Sequence, residues 1–304
     1  MNFDRQAWAA FGSTSLFVLL WSSGAIFSRL GLEHASPFVF LLLRFALALG
    51  VLLIVSACRG RWLPQPGTRR RAGAAGLLMI GGYAACYLLA LAHGVTPGVL
   101  ATVLGVQPLL TLILLERTGF SGMRVIGLLL AFAGLTLVVS QGWHAASLSR
   151  TGLLYALGAL VSITAGSILQ KGIQQAPLEV LPLQYGCSLV LCAAVLPFQP
   201  VRVEFTPQLW VALLWLSLVI SIGAQLLLFR LIQRGSLVNV TSLFYLVPAM
   251  TALLDFLILG NRMPMRAVAG LAAILVALVL VFRAPSLASK PANKGLSRRR
   301  MEDA

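Results

Sequence analysis

The chain has 304 residues, of which 59% are hydrophobic and only 10% are charged. Soluble domains carry roughly 25% charged residues, so a soluble globular protein is excluded and a single polytopic membrane bundle is expected. The net charge of +15 does not point to nucleic acid, because the lysines and arginines lie between the apolar runs rather than on one face.

Ten apolar runs follow one another, each near the roughly 20 residues that a spanning helix needs. Residues 1–10 are a short polar start in which Trp8 is placed to anchor at an interface. Helix 1, about 11–31, carries Trp21, Ser22, Ser23, Gly24 and Ser28, and its run is too long for the apolar core of a signal peptide. Helix 2, about 37–57, opens with Pro37 in the first turn, where proline is tolerated, and is interrupted by Arg44. After an arginine-rich loop, helix 3 (about 73–92) carries Tyr83 and Tyr87, and helix 4 (about 98–115) carries Gln107 and Pro108. Helix 5, about 124–140, is almost wholly aliphatic, and residues 141–151 form a linker.

Helix 6 (about 152–170) holds Tyr155, Ser162 and Thr164, and helix 7 (about 179–198) holds Gln184 and Tyr185. Helix 8 (about 208–230) holds Ser217, Ser221 and Gln225. Helix 9 (237–259) is unlike an inert anchor. It contains Asn239, Thr241, Ser242, Tyr245, Pro248 and Asp255. Pro248 removes a backbone donor, and Asp255 places an acid at membrane depth, where ionisable groups face a cavity or a partner. Helix 10, about 266–282, has no polar side chain between Ala267 and Phe282, and residues 284–304 are a basic tail.

Helix 9 has a twin. An offset of 140 maps Pro248 to Pro108, Thr251 to Thr111, Ser242 to Thr102, Pro177 to Pro37, Ser162 to Ser22 and Ala224 to Ala84. One offset shared by several helices argues for an internal duplication, with residues 11–140 and 152–283 as the two copies. Five spans per copy is an odd number, so the copies insert upside down relative to each other. Seventeen lysines and arginines lie at the end that bears the termini, and five at the other. The positive-inside rule therefore puts both termini in the cytoplasm. Inverted repeats with polar, proline-interrupted helices at mid-membrane are a transporter signature.

The stretches LLWSSGAIFSRLGLEHASPFVFLLLRFAL, VLATVLGVQPLLTLILLER and TSLFYLVPAMTALLDFLILGNRM resemble EamA-type repeats of the drug/metabolite transporter superfamily, as does GLLLAFAGLTLVV. The resemblance covers about 12–283 and implies an all-α, ten-helix alternating-access carrier of a bacterial inner membrane. It implies export of small metabolites, amino acids or drug-like compounds, with protons as the candidate coupling ion and no cofactor. The chain departs from the family in two places: Asn261 stands where the family usually has an acid after the ninth helix, and Asp255 is an addition.

The substrate-binding set expected from the distribution of polar groups is Trp21, Arg44, Tyr83, Tyr87, Gln107, Gln225, Tyr245 and Asp255, facing a space between the repeats. Pro108 and Pro248 are expected to shape their helices. For the aromatic residues plain packing is the alternative, and for Arg44 a tether to nearby carbonyls. Arg44 and Asp255 both sit roughly 9–10 Å below the same membrane surface at 1.5 Å per residue, so they are expected to approach each other. A lipid scramblase or channel is the alternative function. An integral-membrane enzyme is not expected, since the eight acids and three histidines show no metal or hydrolase spacing. The four cysteines likewise lack metal-ligand spacing and read as small hydrophobes.

Overall fold

The computed structural model describes residues 2–60, 62–115, 121–140, 149–259 and 265–284; the side chains of 2–11, 252 and 254–259 lie outside the description. The expectations for Trp8, the Asp255 side chain, Asn261, residues 141–148 of the linker and the tail from 285 fall outside the described residues.

The helices are α1 (Asn2–His34), α2 (Pro37–Arg59), α3 (Pro66–Ala92), α4 (Pro97–Leu115), α5 (Gly122–Val139), α6 (Arg150–Lys171), α7 (Pro177–Phe198), α8 (Pro207–Arg234), α9 (237–259) and α10 (Met265–Arg283). Nine of them are long and apolar enough to cross a membrane, and α9 supplies the tenth apolar run. Local chemistry sets the ends. Pro37, Pro66, Pro97, Pro177 and Pro207 occupy first turns, where the absent N–H has no intrahelical partner to lose. The Thr96, Ser149 and Thr206 hydroxyls accept from Val99, Gly152 and Leu209 N–H groups at the starts of α4, α6 and α8. Gly60, at φ 66°, ends α2 in the left-handed conformation that glycine adopts without strain.

Two boundaries differ from the sequence expectation. Helix α1 begins at Asn2, not near residue 11, because no proline or glycine stands in residues 2–11 to stop it. Helix α3 starts at Pro66 rather than near residue 73 and so includes Arg69, Arg70 and Arg71. Arg69 and Arg71 are held there by carbonyls, with Nε donating to Pro64 O and Leu169 O at 3.0 Å each.

The duplication is visible in the packing. Helix α1 packs on α8 and α9, and its counterpart α6 packs on α3 and α4; α2 packs on α8 and α7 on α3. The pairs α2–α7, α4–α9 and α5–α10 join counterparts directly. The α5–α10 pair is the most extensive contact between two counterpart helices. It is antiparallel, since Gly127 faces Ala277 to Val281 while Gly134 faces Gly270 to Ile274. Two inverted five-helix repeats account for all of these relations.

Both halves also depart from ideal helix at matching places. Leu77–Gly82 of α3 and Trp215–Ala224 of α8 are π-helical, and the offset of 140 carries the first segment inside the second. Helix α4 breaks at Gly105–Val106 and α9 at Leu243–Tyr245. Pro108 cannot donate to the Leu104 carbonyl, nor Pro248 to that of Phe244, and each helix loosens in the turn before its proline.

Candidate functional site in the bundle

Within a membrane the most informative side chain is a charge, and Arg44 is the one charge in the middle of α2. It is half-buried and reaches across to the π-helical segment of α8. Its Nε donates to Ser221 Oγ at 3.0 Å, while Ser217 Oγ donates to the Arg44 carbonyl at 3.1 Å. The Tyr185 hydroxyl donates to the Ser221 carbonyl at 2.7 Å, and its ring meets Phe45 edge-on at 5.6 Å. The widened turns of α8 thus present a hydroxyl and a carbonyl that a regular helix would have turned elsewhere, consistent with π segments gathering at functional sites. Tyr83 and Tyr185 lie near enough to act on the Arg44 charge. Tyr83 in turn stacks obliquely on Tyr87, at 5.7 Å between centroids. Among the described residues no carboxylate pairs with Arg44, and none accepts from its terminal nitrogens.

The structure brings Arg44, Tyr83 and Tyr87 together and places Trp21, Gln107, Gln225 and Tyr245 elsewhere, while the Asp255 side chain lies outside the described residues. Trp21 joins an aromatic cluster with Phe17 and Phe244, at 5.3 and 5.4 Å. Gln107 is buried and reaches Ser167 Oγ on α6 at 3.5 Å. Gln225 is buried in α8, and its Nε2 has no partner among the described residues. Tyr245 is buried in the apolar cluster formed with α5 and α10, its hydroxyl likewise without a partner among the described residues. Pro108 and Pro248 stand just past the two helix breaks. Tyr185, Ser217 and Ser221 were not in the expected set. The signal for the two serines was present: they are four residues apart and share one face of helix 8.

The two ends of the bundle differ. At the end formed by the α1–α2, α3–α4 and α7–α8 connections lies a cavity of about 900 Å³, lined by Arg29, Glu33, Ser36, Ala92, Thr96 and Arg202 among others. One wall is stitched: Ser36 N–H donates to Arg202 O and Glu204 N–H to His34 O, at 2.8 Å each, and Ala35 and Val203 form an antiparallel bridge. At the other end, which carries most of the basic residues, the α6–α7 and α8–α9 connections are tied directly. Lys171 Nζ donates to the carbonyls of Ile232, Gln233 and Gly235 at 2.7, 3.2 and 2.6 Å. Gln233 Nε2 donates to Ile173 O and Gln175 O at 3.1 and 2.6 Å. Among the described residues no group of histidine, cysteine and acidic side chains is placed to hold a metal.

Comparison with known proteins agrees with this architecture. The chain is 27% identical over 179 residues to the uncharacterized transporter YvbV of Bacillus subtilis, a match that spans 58% of this chain and 58% of the relative's length. It is 25% identical over 261 residues to an uncharacterized transporter of Archaeoglobus fulgidus, covering 82% of this chain and 88% of that one. A solved crystal structure superposes with a TM-score of 0.75 at 21% identity, over 90% of this chain and 96% of the other, and so shares the fold. Residues 10–140 and 150–283 each match one family, and the protein belongs to that family, the EamA-like transporter family.

Proposed function

We propose that this transporter is a secondary-active carrier that exports small metabolites, amino acids or drug-like compounds by alternating access, with protons as the coupling ion. The observation that carries the reading is the unlike state of the two ends on one duplicated scaffold. One end holds an open cavity of about 900 Å³, and the other is tied shut by side-chain bonds to carbonyls. Two halves of like fold in unlike conformations can exchange roles by rocking, which is how inverted-repeat carriers alternate. Substrate lies against Arg44, Tyr83 and Tyr87, below the cavity. Trp21, Gln107, Gln225, Tyr245 and Asp255 contribute in other states of the cycle.

In this reading residues 11–140 and 152–283 are the two repeats, joined by 141–151, and the cavity opens outward. The basic end, with residues 1–10 and 284–304, is cytoplasmic in a bacterial inner membrane. A reporter fused after Ala304 is expected to read cytoplasmic and one inserted in Ala145–Ser149 extracytoplasmic. Matching signals at the two places would refute the ten-span topology. Flux into inside-out vesicles, over amino acids and small drugs, is expected to saturate and to rise with an imposed proton gradient. Flux that grows linearly with concentration and ignores the gradient would mark a channel instead.

A further inference from the structure

We propose that Lys171 and Gln233 form a latch that holds the basic end closed, and that the opposite end rests open because the duplication lacks both side chains there. The inference rests on the alternating-access reading above. Its basis is a residue-by-residue comparison of the two ends through the offset of 140.

At the basic end three carbonyls near the end of α8, those of Ile232, Gln233 and Gly235, receive one ammonium. These carbonyls have no acceptor role left within their own helix, and the helix dipole gives them added negative character. Lys171, at the last position of α6, fills the site with all three of its protons. Gln233 reaches back in the opposite sense, from the end of α8 to the Ile173 and Gln175 carbonyls after α6. The two side chains therefore cross, each tying its own helix to the other's connection.

The image of this place is the wall of the cavity. Subtracting 140 takes Ile173, Gln175, Ile232 and Gly235 to Glu33, Ala35, Ala92 and Val95, and all four of these line the cavity. Lys171 becomes Gly31, which has no side chain to reach across. Gln233 becomes His93, whose Nδ1 lies 2.8 Å from Leu89 O of its own helix and whose ring packs on Tyr155 at 5.1 Å. The backbone frame is repeated at the two ends. The cross-ties are not: the Glu33 carbonyl, the image of that of Ile173, accepts instead from Arg202 Nη2 of the α7–α8 connection, and nothing among the described side chains ties the images of α6 and α8 across the cavity.

An ammonium on the last carbonyls of a helix can also be a plain cap, so the test must read both ends at once. The full chain, with Cys58, Cys86, Cys187 and Cys192 replaced, is placed in lipid nanodiscs. It carries one reporter at a time, Ala92→Cys in the cavity or its image Ile232→Cys, and the rate of labelling by a hydrophilic maleimide is measured. Ile232 contributes only its carbonyl to the latch, so the reporter leaves the bond in place.

With Lys171 present, Ala92→Cys is expected to label fast and Ile232→Cys slowly. Lys171→Met is expected to raise the rate at Ile232→Cys by about tenfold, the effect of losing a charged hydrogen bond on an equilibrium, and to lower the rate at Ala92→Cys. Gln233→Ala, which leaves the ammonium in place, is expected to move both rates the same way by less, and it carries the test if Lys171→Met does not fold. An Ile232→Cys rate that stays unchanged would overturn the latch. So would a rise there with no fall at Ala92→Cys, because local loosening of a cap gives that pattern. The labelling needs no transported substrate, so reciprocal shifts support the latch whatever the flux measurement returns.

Discussion

Arg44→Gln is expected to lower transport about 30- to 100-fold while leaving thermal stability equal or higher. Two effects of opposite sign meet at this residue. A guanidinium held among Phe45, Tyr83 and Tyr185 in the bundle has given up most of its hydration, a cost of several kcal/mol at membrane depth. The bond to Ser221 at 3.0 Å recovers part of it. Glutamine removes the charge but keeps an amide that can still meet Ser221, so the fold loses little and sheds a desolvation cost. A substrate that uses the terminal nitrogens loses charged hydrogen bonds of about 2–3 kcal/mol, which is roughly the 30- to 100-fold effect on affinity. Vesicle flux and a thermal melt on the same preparation separate the roles. A parallel fall in both identifies Arg44 as a structural anchor, and unchanged flux removes it from the substrate path. Asp255→Ala, alone and combined with Arg44→Ala, extends the measurement to the expected charge pair. Strictly additive effects on flux and melting would mean that the two do not interact.

The architecture was legible from the sequence for a reason that also explains what was not. Apolar length and an offset repeated at Pro37/Pro177 and Pro108/Pro248 survive any detail of packing, and proline acts on its own helix through an N–H that it lacks. So the ten spans, the inverted repeat and the helix breaks could all be read from residues alone. The partners of Arg44 could not. Ser217 and Ser221 share one face of helix 8 by their spacing, but that spacing does not point to Arg44; the π-helical widening of Trp215–Ala224, which no residue in that segment announces, aims them there. Tyr185 reads as one more aromatic until its hydroxyl is seen on the Ser221 carbonyl. A tyrosine beside a helix break suggests a cavity, and in this state the break at Leu243–Tyr245 turns Tyr245 into the cluster with α5 and α10. Lys171 entered the sequence reading only as a charge that sets topology. A loop lysine and a lysine on three carbonyls look the same until the chain is folded.

The α5–α10 pair is where a single substitution is expected to cost the most stability. Gly134→Leu is expected to destabilise the protein by at least about 3 kcal/mol, the upper range for overpacking a core, and Gly270→Leu by a similar amount. A Cβ built on Gly134 would stand 2.7 Å from the Gly270 carbonyl oxygen, and one on Gly270 would stand 2.5 Å from the Gly134 carbonyl oxygen. Both obstacles are backbone, so no rotamer change relieves them, and the two helices have to move apart. Between helices in lipid there is little hydrophobic drive, and close backbone approach at small residues supplies much of the attraction. Separating this pair therefore removes one of the most extensive contacts that join the two repeats. The control lies in α2. A Cβ on Gly50 meets nothing within 4 Å, so Gly50→Ala is expected to be neutral or to stabilise by about 0.5–1 kcal/mol, the helix-propensity gain of alanine over glycine. Thermal melts in detergent compare the variants directly. If Gly134→Leu melts like Gly50→Ala, the helices are not held at backbone contact and the two repeats are joined elsewhere.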